Sequence, residues 1–321
     1  MRDGASPRIE ENQIWANTLC GIETVDSGTH PLVRANRIHD GHGAGIGVHG
    51  GASPQIEKNE IWANTHAGIQ VSGPQSDPYV RANRIYNGAS CGILVASAAK
   101  PRVEENSVWA NADAGVHVSG LGTDPLMKAN RVQGGWGCGI HVCDGASPRI
   151  EENEVWGNAE NGIVIGSRGT QPFVSSNKIH DEHKIGVLVY DGASPRIEKN
   201  EVWANNSFGI EIADAGTVPS VRANRVHDGH GAGIFVREAA SPRIEENEIW
   251  ANGMEGIRIW GARTSPVITG NTVRDGLDDG IYVGYGASPT IASNTITGNA
   301  REAISVGEDA DPKIGRNVVS H

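Results

Sequence analysis

Aromatic residues make up only 5% of the 321-residue chain, and just three of them are phenylalanines. A conventional globular core needs bulky side chains to fill it, so this composition argues against one. Basic residues are also in deficit: 27 Lys and Arg stand against 38 Asp and Glu, a formal net charge of −11. That balance excludes nucleic acid or an anionic membrane as the main partner. There is no apolar run of about 18 residues. No apolar leader follows the opening "MRDGASPRIEENQ", so a cytoplasmic location is expected. Cysteine is scarce. Cys20, Cys91, Cys138 and Cys143 form no CxxC pair, which points to thiols in a reducing compartment rather than a disulfide framework.

What the chain has in abundance is repetition and glycine, the latter at 43 positions. "GASPRIEEN" begins at residues 4 and 145, with close variants between and after. Prolines recur from Pro7, Pro31, Pro54 and Pro78 through to Pro312, at gaps of 24 and 23 residues. Five residues after each stands an asparagine, from Asn12, Asn36 and Asn59 through to Asn317. The full period is 47, a double unit of odd and even coils.

Each unit holds three short apolar pairs, such as Ile9, Ile14 and Ile22 in the first. They are too short, too β-branched and too broken by Gly and Asn for helices. They predict an all-β fold: a single-domain, three-sided, right-handed parallel β-helix over residues 1–321. It has about 13–14 coils of 23 or 24 residues, less regular after about residue 262. Coils stacked at about 4.8 Å make a rod. The recurring asparagine is expected at a bend in left-handed geometry, its amide bonding the coils above and below.

Outward positions explain the doubling. Glu10, Arg34, Glu57 and Arg81 form one charge-alternating column, and Gln13, Arg37, Glu60 and Arg84 form another. A third column interleaves six tryptophans with other residues: Trp15, His39, Trp62, Tyr86, Trp109, Gln133, Trp156, His180, Trp203, His227 and Trp250. Exposed aromatics can grip sugar rings or anchor peptides, so this stripe is a candidate ligand-binding surface.

"HDGHGAGI" stands at 39–46 and again at 227–234. It is the even-coil form of "WANTLCGI", its glycines shaping the turn. His39, His42 and His66 are candidate metal ligands by coil alignment, and His117 and His141, with Cys143 on the same face, are another set. Each set is thin for zinc, which takes three or four ligands, so no cofactor is expected. Asp278 and Asp279 in "GLDDGI", with Asp275 nearby, are the candidate catalytic carboxylates.

The phrases "NRIHDGHGAGIFV", "SPRIEENEIWAN" and "NGIVI" resemble the parallel β-helix repeats of the carbohydrate-binding and sugar-hydrolase (CASH) type. The double-coil rhythm is similar to that of the F-box-only ubiquitin-ligase receptors, in which the repeats recognise protein substrates. The resemblance implies a binding role. No F-box segment precedes the repeats here and no zinc module follows, so ligase function is not expected. Even regularity without inserted loops favours a non-enzymatic recognition or scaffold solenoid, binding a protein or a polysaccharide along the aromatic stripe. The alternative is a polysaccharide-acting enzyme of lyase, hydrolase or epimerase type, with its site near the carboxy-terminal coils. Unpaired backbone at open coil ends would also permit self-association, end to end or side by side.

Overall fold

A computed structural model describes residues 1–320. Every regular element among the described residues is a β-strand of two to four residues. The strands divide between two compact units, Met1–Ala159 and the residues from Glu160 onward. In the first unit, three parallel sheets hold seven, seven and six strands, opening with Arg8–Glu10, Gln13–Trp15 and Ile22–Thr24. In the second unit each sheet holds seven strands, and the sheets open with Phe173–Ser175, Lys178–His180 and Ile163–Ile165. Each coil gives one strand to each sheet in turn. The architecture is the expected all-β, three-sided, right-handed β-helix.

Equal phase in the repeat becomes vertical neighbourhood. Ile14 pairs with Ile38, and Ile38 with Ile61. The inward side chains form like-on-like columns: Val33, Ile56, Val80, Val103, Met127 and Ile150 are fully buried in the first sheet of the first unit. Each such side chain contributes about 1.5–3 kcal/mol. Among the described residues no cysteine is in a disulfide.

The asparagine ladder forms, with a corrected geometry. The left-handed residue is the one before each asparagine: Ala35, Lys58, Ala82 and Glu105 have φ of 53, 54, 54 and 55°. This leaves the asparagine free to point inward. Asn83 Oδ1 accepts from both the backbone N and Nδ2 of Asn59, at 2.9 and 3.0 Å. Asn83 Nδ2 donates to Ile56 O at 2.9 Å and to Asn106 Oδ1 at 3.0 Å. The chain of amides runs from Asn12 to Asn153 in the first unit and from Asn177 to Asn317 in the second.

The charge columns are half as expected. In the second sheet Glu60 lies between Arg37 and Arg84, at 3.4 and 3.6 Å. In the first sheet Arg81 and Glu104 are backbone neighbours, but their side chains choose other partners. Arg102 pairs with Glu104 on its own strand at 2.8 Å, while Arg81 reaches Glu105 in the turn at 2.9 Å. Residues two apart on a strand share a face, so the intrastrand pair forms without crossing coils.

Three outcomes test this account. Asn83→Ala strands two buried donors on Asn59 and the carbonyl of Ile56, and should cost about 3 kcal/mol or more. Asn12→Ala, at the exposed end of the ladder, should cost under about 1 kcal/mol. Ala82→Gly relieves a left-handed alanine and should stabilise by about 0.5–1 kcal/mol. Thermal midpoints followed by circular dichroism report all three.

Candidate functional site

The octapeptide is a tile of the fold. His39 lies between Trp15 and Trp62, at ring-centroid distances of 6.4 and 4.2 Å. Its Nδ1 is 2.6 Å from Asp40 Oδ2, and Asp40 takes the left-handed turn at φ 54°. Gly41 N donates to Asn64 Oδ1, and a Cβ on Gly41 would sit 2.9 Å from that oxygen. His180–Asp181 and His227–Asp228 repeat the pair at 2.6 and 2.7 Å. Asn64, Asn111, Asn205 and Asn252 thus form a second set of buried amides under the turns of neighbouring coils. The asparagine of "WAN", recurring every 47 residues, carried that signal in the sequence.

The aromatic stripe is a stack. Trp62–Tyr86 and Tyr86–Trp109 lie at 5.8 and 4.4 Å within 10° of parallel. His180–Trp203, Trp203–His227 and His227–Trp250 follow at 4.1, 6.0 and 4.1 Å. Trp156 is half-buried in register with Gln133. Arginines cap the rings further: Arg37 lies over Trp62, Arg84 over Trp109 and Arg225 over Trp250. Ring faces are what a sugar would stack on; within the stack a neighbouring ring or guanidinium lies against them, while Trp15 at its end is 57% exposed.

Among the described residues, a single group of three or more His, Cys or carboxylate side chains brings its ligand atoms together: His117, His141 and Cys143. His39, His42 and His66 do not converge. Of the carboxylates, Asp275 pairs with Arg274 at 2.6 Å in an exposed turn, and Asp278 with Arg301 at 3.3 Å. Asp279 is 7% exposed; its Oδ1 accepts from Glu302 N at 3.0 Å.

The third sheet breaks the rhythm that rules the other two. Its outward residues read Glu23, Gly47, Gln70, Leu94, His117 and His141 in the first unit. In the second they include Glu211, Phe235, Arg258 and Tyr282. Neither run repeats at 47 residues, so coil stacking does not account for these choices.

At the carboxy-terminal end this face gathers charge and rings. The Arg258 guanidinium lies 5.5 Å from the Phe235 ring centre, 4.9 Å from Trp260 and 6.0 Å from Tyr282. Trp260 stacks on exposed Tyr285 at 4.4 Å. A 700 Å³ depression beside them is lined by Tyr282, Tyr285, Glu308 and Asp309. Arg258 Nη1 is 3.9 Å from Glu255 Oε1. Glu255 is 8% exposed, and both its Oε2 and the Arg258 Nε are buried without a hydrogen-bond partner.

Glu255 was missed in the sequence. The residue before the third-strand glycine is Cys20, Ala44, Ala67, Cys91, Ala114 and Cys138 in the first unit, and becomes Glu255 and Asp279 in the last coils, followed by Glu302 before Ala303 at the same phase. Gly256 N donates to Asp279 O at 3.1 Å, and Gly280 N to Glu302 O at 2.8 Å, so these acids are vertical neighbours about one coil spacing of 4.8 Å apart. Asp279 thus lies between Glu255 on one adjoining coil and Glu302 on the other, with its Oδ1 engaged by Glu302 N. The Glu255–Asp279 pair, flanked by an arginine, can exchange protons with a bound substrate.

The family model described as "Right handed beta helix region" matches residues 1–131, 122–264 and 208–321. The chain belongs to that family. No curated protein matches the sequence of this β-helix protein. Among solved structures, the β-helix resembles the periplasmic alginate epimerase AlgG, with TM-score 0.59 and 15% identity over 93% of this chain and 76% of that one. A point mutant of AlgG gives 0.61 at 15% identity over 93% and 74%. The Dettilon tailspike protein gives 0.59 at 15% identity over 89% of this chain and 61% of that one. The expectation of a non-enzymatic recognition or scaffold solenoid is corrected by this comparison. The neighbours are named as an alginate epimerase and a tailspike protein rather than as scaffold solenoids.

If the stripe stabilises the second sheet, Trp109→Ala should cost about 1–3 kcal/mol in thermal denaturation, through lost burial and stacking on Tyr86.

Proposed function

We propose that the protein is a polysaccharide-acting enzyme whose site is the carboxy-terminal part of the third sheet. The observation that carries this is the buried, incompletely bonded Glu255–Arg258 pair in the coil next to Asp279, against the half-buried rings of Trp260 and Tyr282 and the exposed ring of Tyr285. In this reading the rings hold the sugar by its apolar faces. Arg258 Nε donates to an oxygen of the substrate, which relieves its unmet hydrogen bond. Glu255 and Asp279 act as the acid–base pair, one taking a proton while the other supplies one. The epimerase and tailspike neighbours support a polysaccharide as the ligand. The likeness of the repeat motifs to the carbohydrate-binding and sugar-hydrolase type agrees with it. The likeness to the F-box-only receptors adds no residue to the site.

The test is a panel of polysaccharides, alginate included, assayed for unsaturated ends, new reducing ends and changed sugar configuration. Glu255→Gln and Asp279→Asn should each lower turnover by about 10²–10⁴-fold with binding retained. Trp260→Ala should weaken binding, measured by calorimetry, whereas Trp109→Ala leaves it unchanged. Turnover that survives Glu255→Gln, or no binding or turnover across the panel, would overturn the proposal.

A further inference from the structure

The third sheet of the first unit carries a second aperiodic cluster, remote in sequence from the carboxylates. His117 and His141 are paired outward residues on adjacent strands, Val116–Ser119 and Ile140–Cys143. Cys143 lies two residues beyond His141, on the same face, where the strand before it has Ser119. Their rings meet edge to face, at 4.9 Å and 85°, rather than in the parallel stacks of the second sheet. Ring nitrogens are thereby turned toward a common point instead of being hidden in a column.

We propose that His117, His141 and Cys143 bind a zinc-class divalent transition-metal ion. One nitrogen from each histidine and the sulfur all lie within 4.8 Å of one another, and Cys143 Sγ is 3.9 Å from His117 Nε2. Zn–N bonds of about 2.1 Å and Zn–S of about 2.3 Å give donor separations of roughly 3.4–3.7 Å in a tetrahedron. The cluster thus closes on an ion through small side-chain rotations. His141 Nε2 is buried and has no hydrogen-bond partner, an orphan that a metal would satisfy. Two imidazoles and a thiolate form a borderline-soft set that selects zinc, cobalt or copper over calcium or magnesium.

Burial pushes both imidazoles below the usual histidine range, which keeps them in the neutral, ligating form. Burial, and then the hydrogen bond to Asp144, raise the Cys143 thiol to about 12. Such a thiol is a poor nucleophile and a poor redox sensor, so neither explains its place here. A bound cation supplies what would ionise it. Three protein donors leave a fourth position open, and a 450 Å³ depression lined by Leu94, Asp113 and Cys138 adjoins the histidines. A water or a sugar oxygen can reach an ion there.

The probe is Co²⁺ added to the untagged, reduced chain. Binding at the site should give one ion per chain, a thiolate-to-cobalt charge-transfer band, and the intense visible bands of a four-coordinate ion. Cys143→Ser should abolish the charge-transfer band and His141→Gln should weaken binding at least tenfold, while Cys20→Ser leaves both unchanged. Zn²⁺ should displace the cobalt and raise the thermal midpoint of the unmodified chain. That shift needs no variant and guards against one that fails to fold. No charge-transfer band, a band that survives Cys143→Ser or is lost in Cys20→Ser, or no zinc-dependent midpoint shift would overturn the proposal. Loss of polysaccharide activity in Glu255→Gln has no bearing on these readouts, so the two proposals fail separately.

Discussion

A buried asparagine amide has two donors and a carbonyl to satisfy, and inside a β-helix there is no water to do it. In each unit the amide solves this by bonding its own kind one coil away, taking two hydrogen bonds from one neighbour and giving one to the next. The solution works only if every coil holds its asparagine at the same height and angle. That demand sets the left-handed residue before it, and it penalises any slip in strand pairing. Parallel strands as short as three residues have little register information of their own. The amide ladder supplies it, and the apolar columns then stack without choice.

Once register is held, outward side chains divide into two kinds. Those that repeat every 47 residues serve the stack. Tryptophan lies on histidine, arginine on tryptophan, and glutamate bridges arginines above and below. Each exposed ion pair adds only about 0.2–1 kcal/mol. Their value lies in number and in the cost of misalignment. Those that do not repeat are concentrated on the third sheet. A scaffold that specifies its own geometry twice over, through core and ladder, can leave one face unconstrained. Each unit carries one cluster of chemically capable residues at its own third sheet.

The coil length, the three strands, the inward columns and the aromatic column were legible because each is a periodic statement, and period is what a solenoid writes into sequence. The octapeptide was legible for the same reason, as a tile that alternates with "WANTLCGI". Side-chain partners were less so. Arg81 has both Glu57 and Glu104 as register neighbours, yet it takes Glu105 in the turn while Arg102 takes Glu104 on its own strand, a choice that only rotamer geometry decides. The carboxylate pair was hidden by a habit of looking along the chain. Asp278 and Asp279 are adjacent in sequence and point apart, one to Arg301 and one inward. The neighbour that matters, Glu255, is a full coil away, where it replaces the cysteine or alanine of earlier coils.

That replacement carries a thermodynamic cost which bears on its purpose. An alanine at the same phase, such as Ala114, packs quietly at 6% exposure. Glu255 instead buries an oxygen without a partner, next to an arginine nitrogen in the same condition. Each unmet group costs about 1–3 kcal/mol. Nothing in the coil repeat requires either residue, since the preceding coils do without them. Local instability retained within an otherwise over-determined frame is characteristic of a site whose missing partner is a ligand. The arginine cannot relax away, because Phe235, Trp260 and Tyr282 surround its guanidinium. A sugar hydroxyl entering between the rings and Glu255 would accept from Arg258 Nε and donate to Glu255 Oε2, completing both hydrogen bonds at once. Binding energy would then come from relieving strain that folding had already put in place, with little further ordering of the protein needed.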